Sequence, residues 1–143
     1  MQVLIVEDNS FNGFCLNRLI NNIYKFAQIT IVTHSFQALK HLAENSSDLI
    51  ILDGNLASSD SVNGPALAGI IWEKYPHKPI IAWTDCENMR TAFAKVFKRH
   101  NKPLNEFTCW PKVISEDTII ESLLHLANTS YWDIRSVPQI KRA

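Results

Sequence analysis

Asp48-Leu49-Ile50-Ile51-Leu52-Asp53 is a run of four aliphatic residues closed by an acid. A segment this short and this apolar, with β-branched residues at its centre, reads as a strand buried on both faces and therefore as a central one. The closing carboxylate of Asp53 then stands at the lip of a sheet. Two other runs end in the same way. Val3-Leu4-Ile5-Val6 stops on Glu7 and Asp8, and Pro79-Ile80-Ile81-Ala82-Trp83 stops on the hydroxyl of Thr84. If these strands are neighbours, three carboxylates converge at one edge, and they repel each other unless a cation lies between them.

The segments between these runs have helical spacing. Ser10 is positioned to cap a helix carrying Phe11, Phe14, Cys15, Leu19, Ile20 and Ile23. Residues 28–33 are rich in β-branched side chains and predict a strand. Residues 35–44 predict a short helix with Ala38, Leu39 and Leu42 inward, followed by the turn Asn45-Ser46-Ser47. Residues 54–63 form a polar loop, and Pro65 opens a helix where its missing N–H does no harm. Leu67, Ile70 and Ile71 make that helix's inner face, and Tyr75-Pro76 ends it. Met89, Phe93, Val96 and Phe97 mark another helix, residues 107–110 a last strand. Ser115 then caps a helix with Glu116 and Asp117 in its first turn and Ile119, Ile120, Leu123 and Leu124 on its core face.

Five strands alternating with five helices imply an α/β fold, a doubly wound five-stranded parallel sheet with right-handed crossovers. Such folds bind ligands beyond the carboxyl ends of their strands, where Glu7, Asp8, Asp53 and Thr84 all fall. The alternation occupies residues 1–128, read as one domain, and leaves residues 129–143 as a C-terminal tail. Tyr131, Trp132 and Ile134 suit that tail to docking on the body or on a partner.

Bulk composition narrows the function. The 14 basic and 14 acidic residues balance to zero net charge, so no basic face invites a nucleic-acid backbone. Apolar residues at 46% and charged residues at 20% are ordinary for a globular domain. Cys15, Cys86 and Cys109 show no C-x-x-C spacing, which argues against a disulfide framework and for a reducing compartment. Glu7-Asp8 follows too soon for a signal peptide, and no apolar stretch is long enough to span a bilayer. A cytoplasmic protein is the expectation. His34 and His41 lack metal-ligand spacing, and the cluster Lys95, Lys98, Arg99, His100, Lys102 reads as a solvated helix end.

Across residues 2–127 these motifs resemble the response-regulator receiver domain of bacterial two-component signalling, of the chemotaxis-regulator kind, with its flavodoxin-like (βα)5 fold. Val3-Leu4-Ile5-Val6-Glu7-Asp8-Asn9 resembles the family's first strand and acid pair, and Asp48-Leu49-Ile50-Ile51-Leu52-Asp53 its third strand and phosphoacceptor. Gly64 resembles the glycine after the phosphoacceptor loop, Thr84 the switch hydroxyl, and Lys112 the lysine after the fifth strand. The resemblance implies a stand-alone regulator that accepts a phosphoryl group on Asp53 from a histidine kinase or histidine phosphotransfer protein. It implies Mg²⁺ held by Glu7, Asp8, Asp53 and the backbone carbonyl of Asn55, a set of hard oxygen donors that suits this ion. It also implies Lys112 paired to a phosphoryl oxygen and Thr84 moving to bond another. A downstream protein would read the change, with a homodimer as a further possible state. Its only chemistry would be its own phosphorylation and dephosphorylation, which is not that of a conventional enzyme.

The chain departs from the family pattern at several points. Lysine and proline stand in the order Pro111-Lys112, where the family has the lysine first. The family's switch aromatic is replaced by Cys109, with Trp110 or Phe107 as candidates to substitute, and Asp85 stands where a small residue is usual. Asp85 either slows entry of a phosphodonor or adds a metal contact. The alternative function is a phosphorylation-independent pseudo-receiver, a protein-binding module. A magnesium-dependent phosphatase is disfavoured, because the general acid expected two residues after the nucleophile is Asn55.

Overall fold

A computed structural model describes residues 1–56 and 62–128. Strands β1 (Gln2–Val6), β2 (Gln28–Val32), β3 (Leu49–Asp53), β4 (Ile80–Trp83) and β5 (Cys109–Trp110) alternate with helices α1 (Ser10–Ile23), α2 (Ser35–Glu44), α3 (Gly64–Lys74), α4 (Glu87–Arg99) and α5 (Glu116–Ala127). All strands are parallel, in the order β2-β1-β3-β4-β5. This is the flavodoxin-like receiver fold. The expected tail at 129–143 and the middle of the loop after Asp53 lie outside the described residues.

β3 is central and every one of its residues is buried. Its register sets the site. Val6 pairs with Leu52 and Asp53 with Trp83, while Trp83 pairs with Trp110, so the carboxyl ends of four strands finish level. α1 packs against α5, and α3 against both α2 and α4, so two helices cover one face of the sheet and three the other.

Several local expectations are corrected. Asn9, not Ser10, is the N-cap of α1. Its backbone is extended and its Oδ1 accepts the Asn12 N–H at 3.0 Å, while Ser10 is already helical. Phe11 and Phe14 are exposed, and the buried stripe of α1 is Gly13, Leu16 and Ile20. The cause is Gly13, whose missing side chain lets the helix approach β2. A Cβ there would sit 3.3 Å from Ile31 Cγ2. With Gly13 against the sheet, Phe14 and Phe11 point about 100° and 160° away, at 3.6 residues per turn.

Ile70 and Leu124 also turn outward. On α3 the buried stripe is Gly64, Leu67, Ala68 and Ile71. On α5 Ser122 takes a seam position that apolar spacing assigns to a larger residue, because its hydroxyl accepts the buried Trp110 Nε1–H at 2.9 Å. β5 is shorter than residues 107–110. Asn105 consumes the start of that run in a turn, accepting the Phe107 N–H on Oδ1 and the Cys109 N–H on its carbonyl, both at 2.9 Å.

Candidate functional site

Each acid reaches the site because an apolar strand ends beneath it. Beyond β1, the Glu7 N–H donates to Val32 O at 3.0 Å, which extends the ladder by one bond and turns the carboxylate inward. Glu7 is only 2% exposed, and Asp53, at the end of β3, only 5%. Asp8 is exposed. Carboxylate oxygens of Glu7, Asp8 and Asp53 lie within 4.8 Å of one another, as the sequence pattern requires of neighbouring strands. Asn55 is exposed two residues beyond Asp53.

Lys112 reaches this group from the loop after β5. Its Nζ pairs with Glu7 Oε2 and lies 2.9 Å from Asp53 Oδ1. The inverted Pro111-Lys112 order therefore still delivers the ammonium to the pocket. Burial pushes the Glu7 carboxyl above the usual range, and the hydrogen bonds from Lys112 and from the Asn9 N–H oppose that rise.

Thr84 stands one residue beyond β4, buried, with its N–H bonded to Trp110 O at 3.0 Å. Its Oγ1 accepts the Cys86 N–H at 3.1 Å. The two ends of the connection between β3 and α3 are kept tight against these groups. A Cβ on Gly64 would collide with the Asp53 carbonyl, and one on Gly54 would meet Met89 Cβ at 2.7 Å. The Gly64 N–H closes the loop on Gly54 O at 2.9 Å.

Neither candidate for the switch aromatic faces Thr84 as a free ring. Phe107 stacks on His125 with centroids 4.2 Å apart, and Trp110 is buried with its N–H held by Ser122. Cys109 is half-buried, and burial raises its thiol pKa against the opposing influence of Arg90. Asp85 does not make the metal contact that was one of the two roles expected for it. It is absent from the metal-competent group among the described residues, and its Oδ1 accepts the Lys112 backbone N–H at 3.0 Å. Trp83, which the sequence reads mainly as a packing residue flanking the proposed site, lies under the lysine, with Nζ 3.9 Å from its ring centroid. Lys95, Lys98 and Arg99 are exposed at the end of α4, while Lys102 is half-buried beside Trp72.

The donor set fits a hard divalent cation. Three carboxylates, two of them buried, meet a single ammonium, and all their ligand atoms are oxygen. The model of the response regulator receiver domain family matches residues 3–102, and the chain belongs to that family, the receiver domain of two-component signalling. Among solved structures it is similar to the signal receiver domain of an HD domain-containing protein from Pseudomonas fluorescens, at 20% identity and TM-score 0.72, over 87% of this chain and 85% of that one. It is similar to the chemotaxis protein CheY4 of Vibrio cholerae, at 17% identity and TM-score 0.69, over 87% and 97% of the two chains. It is likewise similar to the receiver domain of NtrX from Brucella abortus, at 17% identity and TM-score 0.72, over 89% and 99%. Identities this low speak for the fold. The comparison with curated proteins found no match. Among the described residues, no helix is long and apolar enough to cross a membrane.

Proposed function

We propose that Asp53 accepts a phosphoryl group from a phosphohistidine of a histidine kinase or phosphotransfer protein, and that the modified site switches a surface read by a downstream protein. The observation that carries this reading is the convergence of the Glu7, Asp8 and Asp53 carboxylates with the Lys112 ammonium lying on Asp53 Oδ1. An Asp53 oxygen attacks phosphorus, the P–N bond breaks, and its electron pair returns to the imidazole nitrogen, which is protonated from solvent. Lys112 shifts from its carboxylate partners to a phosphoryl oxygen. Thr84 exchanges its bond from the Cys86 N–H for one to another phosphoryl oxygen, which biases the β4–α4 connection between two arrangements.

Glu7, Asp8, Asp53 and the carbonyl of Asn55 are the residues that would hold Mg²⁺, which when bound neutralises charge on the transferring group. A cytoplasmic location belongs to the same reading, and the three cysteines, all free, suit a reducing compartment.

Intact mass spectrometry after incubation with phosphoramidate and Mg²⁺ tests the proposal. The expected result is a gain of one phosphoryl group, lost without metal and absent in Asp53→Ala. No gain in folded, Mg²⁺-binding protein, whether from the small donor or from histidine kinases, would leave the pseudo-receiver reading in its place.

A further inference from the structure

Lys112 sits in an irregular connection between exposed Pro111 and Val113, the latter 91% exposed, yet its ammonium is placed on two buried carboxylates. Something other than its own loop must hold it. Both ends of the residue are gripped by the chain on either side of Thr84. The Asp85 carboxylate accepts the Lys112 backbone N–H at 3.0 Å, and the Trp83 ring lies 3.9 Å beneath its Nζ. Trp83 is 1% exposed, and its Nε1–H has no hydrogen-bond partner among the described residues. As mere filling an indole is a poor choice there, because a buried N–H left unbonded is costly and an aliphatic side chain carries none. What an aromatic ring supplies there, and an aliphatic side chain does not, is a negative face under a cation.

We infer that Trp83 and Asp85 are positioning residues that brace Lys112 from both ends, the carboxylate anchoring its backbone and the indole face its ammonium. Neither contact uses an oxygen of Glu7, Asp8 or Asp53. The brace therefore holds the lysine beside Asp53 while those carboxylates are engaged elsewhere. A lysine on an exposed loop would otherwise spread over many rotamers, and fixing it removes that entropy from the transfer step. This inference rests on the proposed role of Lys112 toward a phosphoryl oxygen.

The test uses the full chain with labelled lysine. The ε-methylene resonance of Lys112, assigned with Lys112→Arg, should lie upfield through the Trp83 ring current. Asp85→Ala removes the backbone anchor at an exposed position and should move that resonance towards the free-lysine value. Asp85→Asn keeps an acceptor oxygen and should restore it. Trp83→Phe keeps a ring face and should retain part of the shift. With phosphoramidate and saturating Mg²⁺, Asp85→Ala should slow phosphoryl uptake between about two- and tenfold, the effect of one hydrogen bond. Its half-saturating Mg²⁺ should not change, and Asp85→Asn should recover the rate. An unshifted resonance in the wild type, an Asp85→Ala protein unchanged in shift, or Asp85→Asn behaving as Asp85→Ala would each overturn the brace. If the wild type takes up no phosphoryl group, the functional reading fails and the resonances alone decide the brace.

Discussion

Lys112→Met keeps a long flexible side chain but leaves Glu7 and Asp53 without their cation. The two carboxylates are 2% and 5% exposed, so they cannot recover the lost partner from bulk water. Breaking a buried pair by removing one member costs about 3–5 kcal/mol. The Lys112 side chain retains 18% exposure, which places this case at the low end, about 3 kcal/mol. That corresponds to a fall of roughly 10 °C in Tm for a domain of this size. Urea unfolding in metal-free buffer measures it.

Two further arms make the reasoning specific to charge. Saturating Mg²⁺ supplies the missing cation without an ammonium to displace, so the variant should gain more from the metal than the wild type, whose gain at a hundredfold excess over Kd is about 2.7 kcal/mol. The pH dependence has a definite sign. Glu7 has its carboxyl raised above the ordinary value in the folded protein, chiefly by burial, with Lys112 opposing. Without Lys112 the rise is larger. An acid raised in the folded state binds protons there first, so stability increases as pH falls through the folded value towards the unfolded one. The deficit of the variant should therefore shrink as pH falls through the raised folded-state value towards the ordinary carboxylate range. A loss below about 1 kcal/mol, or one indifferent to both Mg²⁺ and pH, would refute the picture of a buried acid pair held by this lysine.

Two other outcomes test the local structure. Asn9→Ala should cost about 1 kcal/mol in urea unfolding through loss of the α1 cap, whereas Ser10→Ala should change stability by no more than a few tenths. Ser122→Ala should cost about 1–3 kcal/mol by leaving the buried Trp110 indole N–H unbonded, with a blue-shifted Trp emission marking the same site.

The element order and the parallel sheet were legible because the strands are nearly uninterrupted apolar runs, which only a sheet covered on both faces can bury. The acids at their ends were legible for the same reason, since Glu7, Asp8 and Asp53 interrupt those runs abruptly. Helix faces were less legible where one residue rotated a helix. Gly13 turned Phe11 and Phe14 outward, and Ser122 claimed a seam position by bonding Trp110 rather than by hydrophobicity. The start of β5 was misjudged because Asn105 competes for the backbone donors of Phe107 and Cys109.

By itself, then, the sequence determined which chemistry meets at the strand ends, because strand periodicity and strand termination are local properties. Only the tertiary structure decided how Lys112 reaches that chemistry from an inverted Pro-Lys pair. Its anchors, Trp83 and Asp85, lie more than two dozen residues away, on the neighbouring strand's end. Contacts of that kind depend on strand order and register, which no local pattern encodes.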